Sequence, residues 1–415
     1  MTGEYDYDVL IVGGGLVGAS LACALGGHPL RVGIIEAHPF DADTQPSYDD
    51  RSVAIAYGAR RIFEGMGLWE SLAVDATPIE RIHVSDRGHF GVTRLAASDT
   101  NFEALGYVIE NRVLGKTFAK TIPAHPNLEL VCPAHLLAIK IDDTVVRAGI
   151  RQGGSRRTLS ARLIIGADGG HSQVRKYMGI DATMHDYGQT AIIANITPGI
   201  QHRNTAYERF TEYGPLAMLP MSQNRCSLVW TMAGNDSARA LELSHKAFID
   251  NLQRCFGYRL GRLEIAGKRH AYPLSLLRAQ QHIVPRLTLI GNAAHTLHPV
   301  AGQGFNLGLR DVAVLAEILL EAINSGDDPG DIAVLDRYRR WRRRDQAAVM
   351  AFTDGIVRVF SNAFPPLVMA RNIGLVALDV LAPLKQGLLR RTMGLSGRLP
   401  LLGRGMTLHT LQDDR

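Results

Sequence analysis

Short apolar runs separated by glycine-rich turns open the chain. Residues 7–12, YDVLIV, are almost continuously apolar, as a strand buried on both faces of a parallel sheet should be. GGGLVGASLACALGG follows, with helical spacing of its apolar residues and a closing glycine pair suited to a C-cap. Residues 31–36, RVGIIE, read as the next strand. The pattern is one β-α-β unit in about thirty residues. Residues 41–50 form a polar, proline-containing loop, and Val53 to Met66 has helical character. Residues 78–99 alternate and then lose periodicity, as a peripheral sheet segment would. Asn111 to Thr121 reads as helix. Leu128 to Val131 and Leu163 to Ile165 read as strands, the second running into Gly166-Ala-Asp-Gly169.

From Gly188 to Trp230 the pattern changes. Short runs rich in Ile, Val, Thr, Tyr and Phe (TAIIANI, AYERFT, SLVWTM) are broken by Pro and Gly, which suits a mostly antiparallel second sheet. Leu287 to Gly291, LTLIG, is one more buried strand, followed by a loop and a helix from about Phe305. The prediction is an α/β chain. A discontinuous Rossmann-type domain takes residues 1–75, 102–180 and 281–340. An inserted, mostly antiparallel substrate domain takes 76–101 and 181–280, and a helical C-terminal region takes 341–415. In that last region Leu367 to Leu389 is apolar but broken by Arg371, Asp379 and Pro383, with Arg390 and Arg391 behind it. It reads either as an interfacial helix with a basic edge, or as core packing or a protein contact.

A length of 415 residues exceeds one ordinary core and agrees with two domains. Net charge is +5, much of it in the run DRYRRWRRRD from Asp336 to Asp345. That run is a solvated helix face or an anionic-surface contact. No nucleic-acid-binding pattern is present, so nucleic acid is not an expected partner. Cys23, Cys132, Cys226 and Cys255 are far apart, with no CxxC and no metal-ligand spacing. This excludes the dithiol branch of flavoproteins, predicts no metal, and fits a reducing compartment. The first strand starts at Tyr7 without a secretory or transit leader, and no uninterrupted apolar stretch reaches about 18 residues. The expectation is a bacterial cytoplasmic protein without a spanning helix.

Three motifs carry chemistry. Gly13-x-Gly15-x-x-Gly18, enclosing Leu16 and Val17, sits between strand and helix. Gly13 permits the tight turn, Gly15 lets a pyrophosphate approach, and Gly18 lets helix and strand pack. Glu36 ends the second strand, where a carboxylate meets ribose hydroxyls. This much calls for a dinucleotide without choosing between FAD and NAD. Asp168-Gly169, followed by Ser172 and Arg175, is the second motif, although an Asp-Gly pair after a strand can also be only a turn. The third, GNAAHTLHPVAGQGFNLGLRD at 291–311, leaves a strand, passes proline and glycines, and enters a helix. Gly302 and Gly304 allow backbone to approach a flat ligand, and a helix start there favours negative charge on the N1–C2=O edge of a reduced flavin.

Together these segments resemble the aromatic-ring hydroxylases, the single-component flavin monooxygenases, over roughly residues 5 to 350. The resemblance implies FAD as cofactor, with O2 as cosubstrate and NAD(P)H or another reductant. It assigns cofactor contacts to Gly13, Gly15, Leu16, Val17, Gly18, Glu36, Arg51 (in Asp50-Arg51-Ser52), Arg112 (in Asn111-Arg112-Val113-Leu114) and Asp168. It adds Asn292 and the run Pro299, Gly302, Gln303, Gly304 and Asn306 beside the isoalloxazine. The family usually carries Asp where this chain has Asn292, which keeps a hydrogen-bond acceptor but loses the charge. The form GNAAxTLHPxAGQGFNLGLRD, with Tyr207-Glu-Arg-Phe210 and Leu219-Pro220, is similar to the ubiquinone-biosynthesis branch, notably its 2-polyprenyl-6-methoxyphenol hydroxylases.

The chemistry so implied is ring hydroxylation of a polyprenylated methoxyphenol through reduced FAD, O2 and a C4a-hydroperoxide, with no protein nucleophile. His295 and His298 are weak candidates for a general base, against the plainer reading that they pack locally. Tyr187, Tyr207 and Arg209 are candidates for the substrate side. Expected partners are the prenylated phenol, other quinone-biosynthesis proteins and an inner-membrane surface, with oligomeric state open. Alternatives are another ring position or aromatic substrate, a non-catalytic FAD-binding scaffold (which Asn292 keeps open), and an NAD-dependent dehydrogenase.

Overall fold

The computed structural model describes residues 5–41, 45–47, 51–265, 267–298, 302–409 and 411. Tyr7–Val12 is the hub of an eight-stranded sheet. It pairs in parallel with Val32–Ile35 on one side and with Ser155–Gly166 on the other. Leu128–Val131 extends the sheet beyond Val32–Ile35, and Leu287–Leu289 extends it beyond Ser155–Gly166, both in parallel. The central strand is apolar throughout because both faces are covered. Val9 and Ile11 join the helices Leu16–Leu25 and Gln303–Ser325 in one core. Leu10 and Val12 meet the hairpin of Ala134–Ile141 and Val146–Gln152 in another. Helix Leu16–Leu25 lies so close to the hub strand that a Cβ on Gly18 would stand 1.9 Å from the carbonyl oxygen of Gly13.

A nine-stranded sheet is built mainly from Ala182–Pro198, Thr205–Thr211, Gly214–Met221, Arg225–Ala233 and His270–Ala279. Arg81–Asp86 and Val92–Ala96 join it from far upstream. All its pairings are antiparallel except Arg81–Asp86 with Thr205–Thr211. One face packs Ile192, Leu216 and Trp230 against Phe248, Leu252 and Phe256 of helix His245–Phe256.

Two expectations are corrected. The stretch from Val53 to Met66 is not one helix: Ser52–Ala56 is a strand paired with Gly106–Glu110, and the helix is Tyr57–Gly65. The ladder to Gly106–Glu110 outweighs the local helical tone. Leu367 to Leu389 is not one interfacial helix either. Pro365–Val380 and Ala382–Thr392 meet at a bend of 94°, with Pro383 in the first turn of the second. No single helix among the described residues is long and apolar enough to cross a membrane.

The arginine run falls within helix Ile332–Phe360 and is less uniform than its sequence. Arg339 and Arg340 pair with Asp336, and Arg337 with Glu321. Arg342 turns inward and is buried. Its Nε donates to Asp311 Oδ1 at 2.7 Å, and Gln346 Nε2 donates to the same oxygen at 2.9 Å. His295 Nε2 lies 2.7 Å from Asp311 Oδ2. Burial alone would raise the Asp311 carboxyl, but the charges of His295 and Arg342 prevail and hold it well below the usual carboxylate range.

Arg342→Ala would leave that carboxylate buried without the guanidinium that meets its Oδ1. The expected loss is about 3–5 kcal/mol of stability, read as a lower urea midpoint. Arg339→Ala, at an exposed position, should move stability by no more than about 0.5 kcal/mol.

Candidate functional site

A cavity of 1210 Å³ runs between the two sheets and under the C-terminal helices. At one end it is walled by Gly13, Gly15, Leu16, Val17 and Glu36. Gly13 has φ +102°, which a side chain would rarely adopt. Gly15 is different: its backbone is ordinary (φ −66°), and a Cβ there would meet only Ser47 Oγ at 3.3 Å. Its lack of a side chain therefore keeps space for a ligand. Helix Leu16–Leu25 has no side-chain cap, so its first N–H groups are left for an anion. Gly18 is buried and does not line the cavity; its role is the helix–strand approach. Glu36 is fixed from behind, accepting from the N–H groups of Gly14 (2.6 Å) and His38 (2.8 Å) while lining the cavity.

The opposite wall starts at Asp168, whose carboxylate accepts from Ser172 Oγ at 2.6 Å and from the Val174 N–H at 3.1 Å. Burial raises its carboxyl against those bonds. Arg175 then donates to the carbonyls of Gly170 (2.6 Å) and Ala293 (2.7 Å), tying this turn to the segment bearing Asn292. The Asn292 side chain is exposed to the cavity. Gly302, in the left-handed region, starts helix Gln303–Ser325, which also lacks a side-chain cap. Gln303, Gly304 and Asn306 line the cavity, and a Cβ on Gly304 would meet nothing within 4 Å. Asn306 uses its amide on the protein: Oδ1 accepts from the Ala56 N–H (2.7 Å), and Nδ2 donates to the carbonyls of Ala54 (2.8 Å) and Gly302 (2.7 Å). It is a positioning residue. Pro299 and Asp50 lie outside the described residues.

Arg51 lines the cavity with its guanidinium 4.9 Å over the Tyr272 ring. Arg112 does not line it. Its Nε donates to Glu110 Oε2 at 2.6 Å, and its neighbour Asn111 faces the cavity instead. The two histidines are also elsewhere. His295 is buried against Asp311. His298 lies 3.2 Å from Gln189 Oε1 and edge-on to Tyr187, and burial lowers it to about 4, so it is neutral at physiological pH. Neither is among the residues that line the cavity. Tyr187 donates to Asp354 at 3.1 Å rather than facing the site, and Arg209 is absent from the wall.

The far half of the cavity is apolar. Ile82, Val84, Ala206, Phe210, Ala217, Leu219 and Val229 come from the nine-stranded sheet; Phe352, Ile356, Leu375 and Leu378 come from the C-terminal helices. Tyr207 borders it. Glu208 lies among these residues and was missed as a site residue by sequence reasoning. The signal was available: alternation in AYERF puts Ala206, Glu208 and Phe210 on one face.

The FAD binding domain family matches residues 6–353. The chain is 41% identical over 413 residues to ubiquinone hydroxylase UbiL of Rhodospirillum rubrum, covering 98% of this chain and 95% of that protein. It is 34% identical to 3-demethoxyubiquinol 3-hydroxylase of Escherichia coli, covering 94% and 98%. Among solved structures, p-nitrophenol 4-monooxygenase PnpA of Pseudomonas putida superposes with a TM-score of 0.79 at 18% identity, over 94% of this chain and 98% of that one. At that identity the likeness is one of fold.

Because a Cβ on Gly15 would press only on the short side chain of Ser47, whose Oγ can turn aside from 3.3 Å, and the backbone is permissive, Gly15→Ala should fold normally. It should weaken FAD binding at least tenfold, about 1.4 kcal/mol, by holding the pyrophosphate off the helix start. Flavin release by dialysis, with the unfolding midpoint of flavin-free protein as control, checks both halves.

Proposed function

The chain belongs to the FAD binding domain family as an FAD-dependent aromatic hydroxylase, and from that premise we propose that it hydroxylates the ring of a polyprenylated methoxyphenol in ubiquinone biosynthesis. The observation that carries the reading is the continuity of the cavity. It joins a dinucleotide groove to an apolar chamber long enough to reach the C-terminal helices.

The residues present fit FAD. Gly15 and the start of helix Leu16–Leu25 would receive the pyrophosphate, and Glu36 the ribose. Asp168, Asn292 and Arg51 border the middle of the groove. The second uncapped helix start, at Gln303 and Gly304, would face the flavin ring. Asn306 holds that helix start against Ser52–Ala56, so the ring would meet a fixed wall. Arg112 supports the groove from behind through Glu110, which Arg225 also holds. When bound and reduced by NAD(P)H or another reductant, FAD supplies the activation of O2. The protein's own part is to orient the phenol ring and to exclude water, which the apolar walls accomplish.

The same helices that wall the chamber have an apolar outer face. Leu375 and Leu378 point inward, whereas Met369, Ile373, Val380, Leu381 and Leu384 are exposed. Arg390 and Arg391 follow in an exposed basic turn. This arrangement supports peripheral attachment to an anionic membrane surface, where a prenyl tail would pass from lipid into the chamber.

Turnover of a short-chain prenyl methoxyphenol under labelled O2 should place one labelled oxygen on the ring. Reduction of FAD with no label in the product would overturn the assignment. Ile373→Asp with Val380→Asp should lower co-sedimentation with phosphatidylglycerol vesicles several-fold and leave flavin content unchanged; equal binding would remove the membrane role.

A further inference from the structure

Glu208 is a carboxyl group in a wall that gives it no reason to be there. From Arg81–Asp86 its cavity-side neighbours are Ile82 and Val84; from Gly214–Met221 they are Ala217 and Leu219; from Arg225–Ala233 it is Val229. Across the cavity stand Phe352, Ile356 and Phe360 of helix Ile332–Phe360. None of these titrates. Two ionisable groups border this half. Tyr207 packs its ring edge-on to Phe256 on the far side of the sheet. Arg371 is engaged by Asp86 and by the carbonyls of Val359, Phe360 and Asn362. His83 and Arg209 alternate onto the other face. Among the described residues no hydrogen-bond donor or cation meets the Glu208 carboxylate.

A carboxyl without a partner in apolar surroundings is costly, and leucine or glutamine would fill the place at lower cost. We propose that Glu208 receives the phenolic hydroxyl of the substrate and takes its proton as the ring is oxygenated. The inference rests on the hydroxylase reading above. A phenol attacks an electrophilic oxygen more readily as its O–H bond weakens. As the ring carbon gains its new C–O bond, the phenol O–H bond breaks. The proton goes to Glu208, and the ring becomes a hydroxylated cyclohexadienone. The hydrogen on that ring carbon then leaves to solvent, the proton on Glu208 returns to the oxygen, and aromaticity is restored. O2 supplies the inserted atom. Its second atom leaves as water: the reductant supplies two electrons, reductant and solvent together supply two protons, and the proton released by the ring is the third hydrogen that the new hydroxyl and the water share. Glu208 ends as it began.

Desolvation raises Glu208 to about 7. It is therefore neutral below that pH and ionised above it. Phenol binding to the oxidised, flavin-loaded protein and kcat/KM should both rise as pH increases from about 6 to 8.

The test uses full-length, flavin-loaded protein and a short-chain prenyl methoxyphenol. Binding is followed by the flavin absorbance change, and turnover by ring hydroxylation. Wild-type protein should bind the phenol several-fold more tightly at the higher pH. Glu208→Gln should keep its flavin, bind with a flat pH profile, and hydroxylate about 100-fold more slowly, with Glu208→Asp recovering part of the rate. Glu208→Gln turnover within twofold of wild type on an unchanged pH profile would overturn the proposal. So would flat phenol binding by the wild type, a measurement that needs no variant to fold. Wild-type protein that binds with the expected profile but does not hydroxylate would instead overturn the substrate reading.

Discussion

Asp311 sits where three segments of the flavin-facing half meet. Its Oδ2 lies beside His295 and takes the Gly291 N–H at 3.3 Å, and its Oδ1 holds Arg342 and Gln346. The strand end after Leu287–Leu289, helix Gln303–Ser325 and helix Ile332–Phe360 are thus locked through one fully buried carboxylate. A charge there is tolerable only because donors meet both oxygens. The geometry of the site follows from this lock. With the helix axis fixed, Asn306 falls opposite the carbonyl of Ala54 and the amide of Ala56, and the uncapped turn at Gln303 is held against the small sheet of Ser52–Ala56.

The cofactor groove was largely legible in the sequence because backbone constraints wrote it. Gly13 needs a positive φ, Gly15 an open approach and Gly18 a near-contact of backbones, and only glycine meets all three demands. The distant segment at 291–311 was legible for the same reason at Gly302 and Gly304. Side-chain roles were harder to read. Arg112 and Asn306 look like ligand contacts in a linear motif, yet one is turned to Glu110 and the other is spent on backbone. His295 and His298 flank a flavin-like loop in sequence but point away from the cavity, since a loop that turns sends neighbouring side chains in opposite directions. Arg342 looked like one arginine among many. Helical phase, invisible in a count of charges, is what buries it.

Comparing the two carboxylates, Asp311 and Glu208, separates architecture from chemistry. Both are surrounded by apolar elements. Asp311 is met by Arg342, His295, Gln346 and a backbone amide, and its carboxyl is pulled well below the usual range. Glu208 is met by none of these, and desolvation alone pushes it up to about 7. The first pattern is that of a group whose partners are in the fold. The second is that of a group whose partner arrives from outside, and its position on the cavity wall says from where.

The C-terminal helices complete the same logic. Pro365–Val380 is held to the nine-stranded sheet by polar contacts at one strip: Arg371 and Asn372 to Asp86, Asn372 to the Gly91 N–H, and Asp379 to Arg94. A Cβ on Gly91 would stand 2.3 Å from Asn372 Oδ1, so this docking is close and specific. Hydrophobic contact therefore does not have to fix the helix in place, and its apolar residues are free to serve two other surfaces. Leu375 and Leu378 line the chamber, and Ile373 and Val380 face outward. An apolar helix held by polar clasps is a sound way to make a wall that is greasy on both sides. On the proposed reading, such a wall would let a polar ring reach the flavin while a hydrocarbon tail leads back toward lipid.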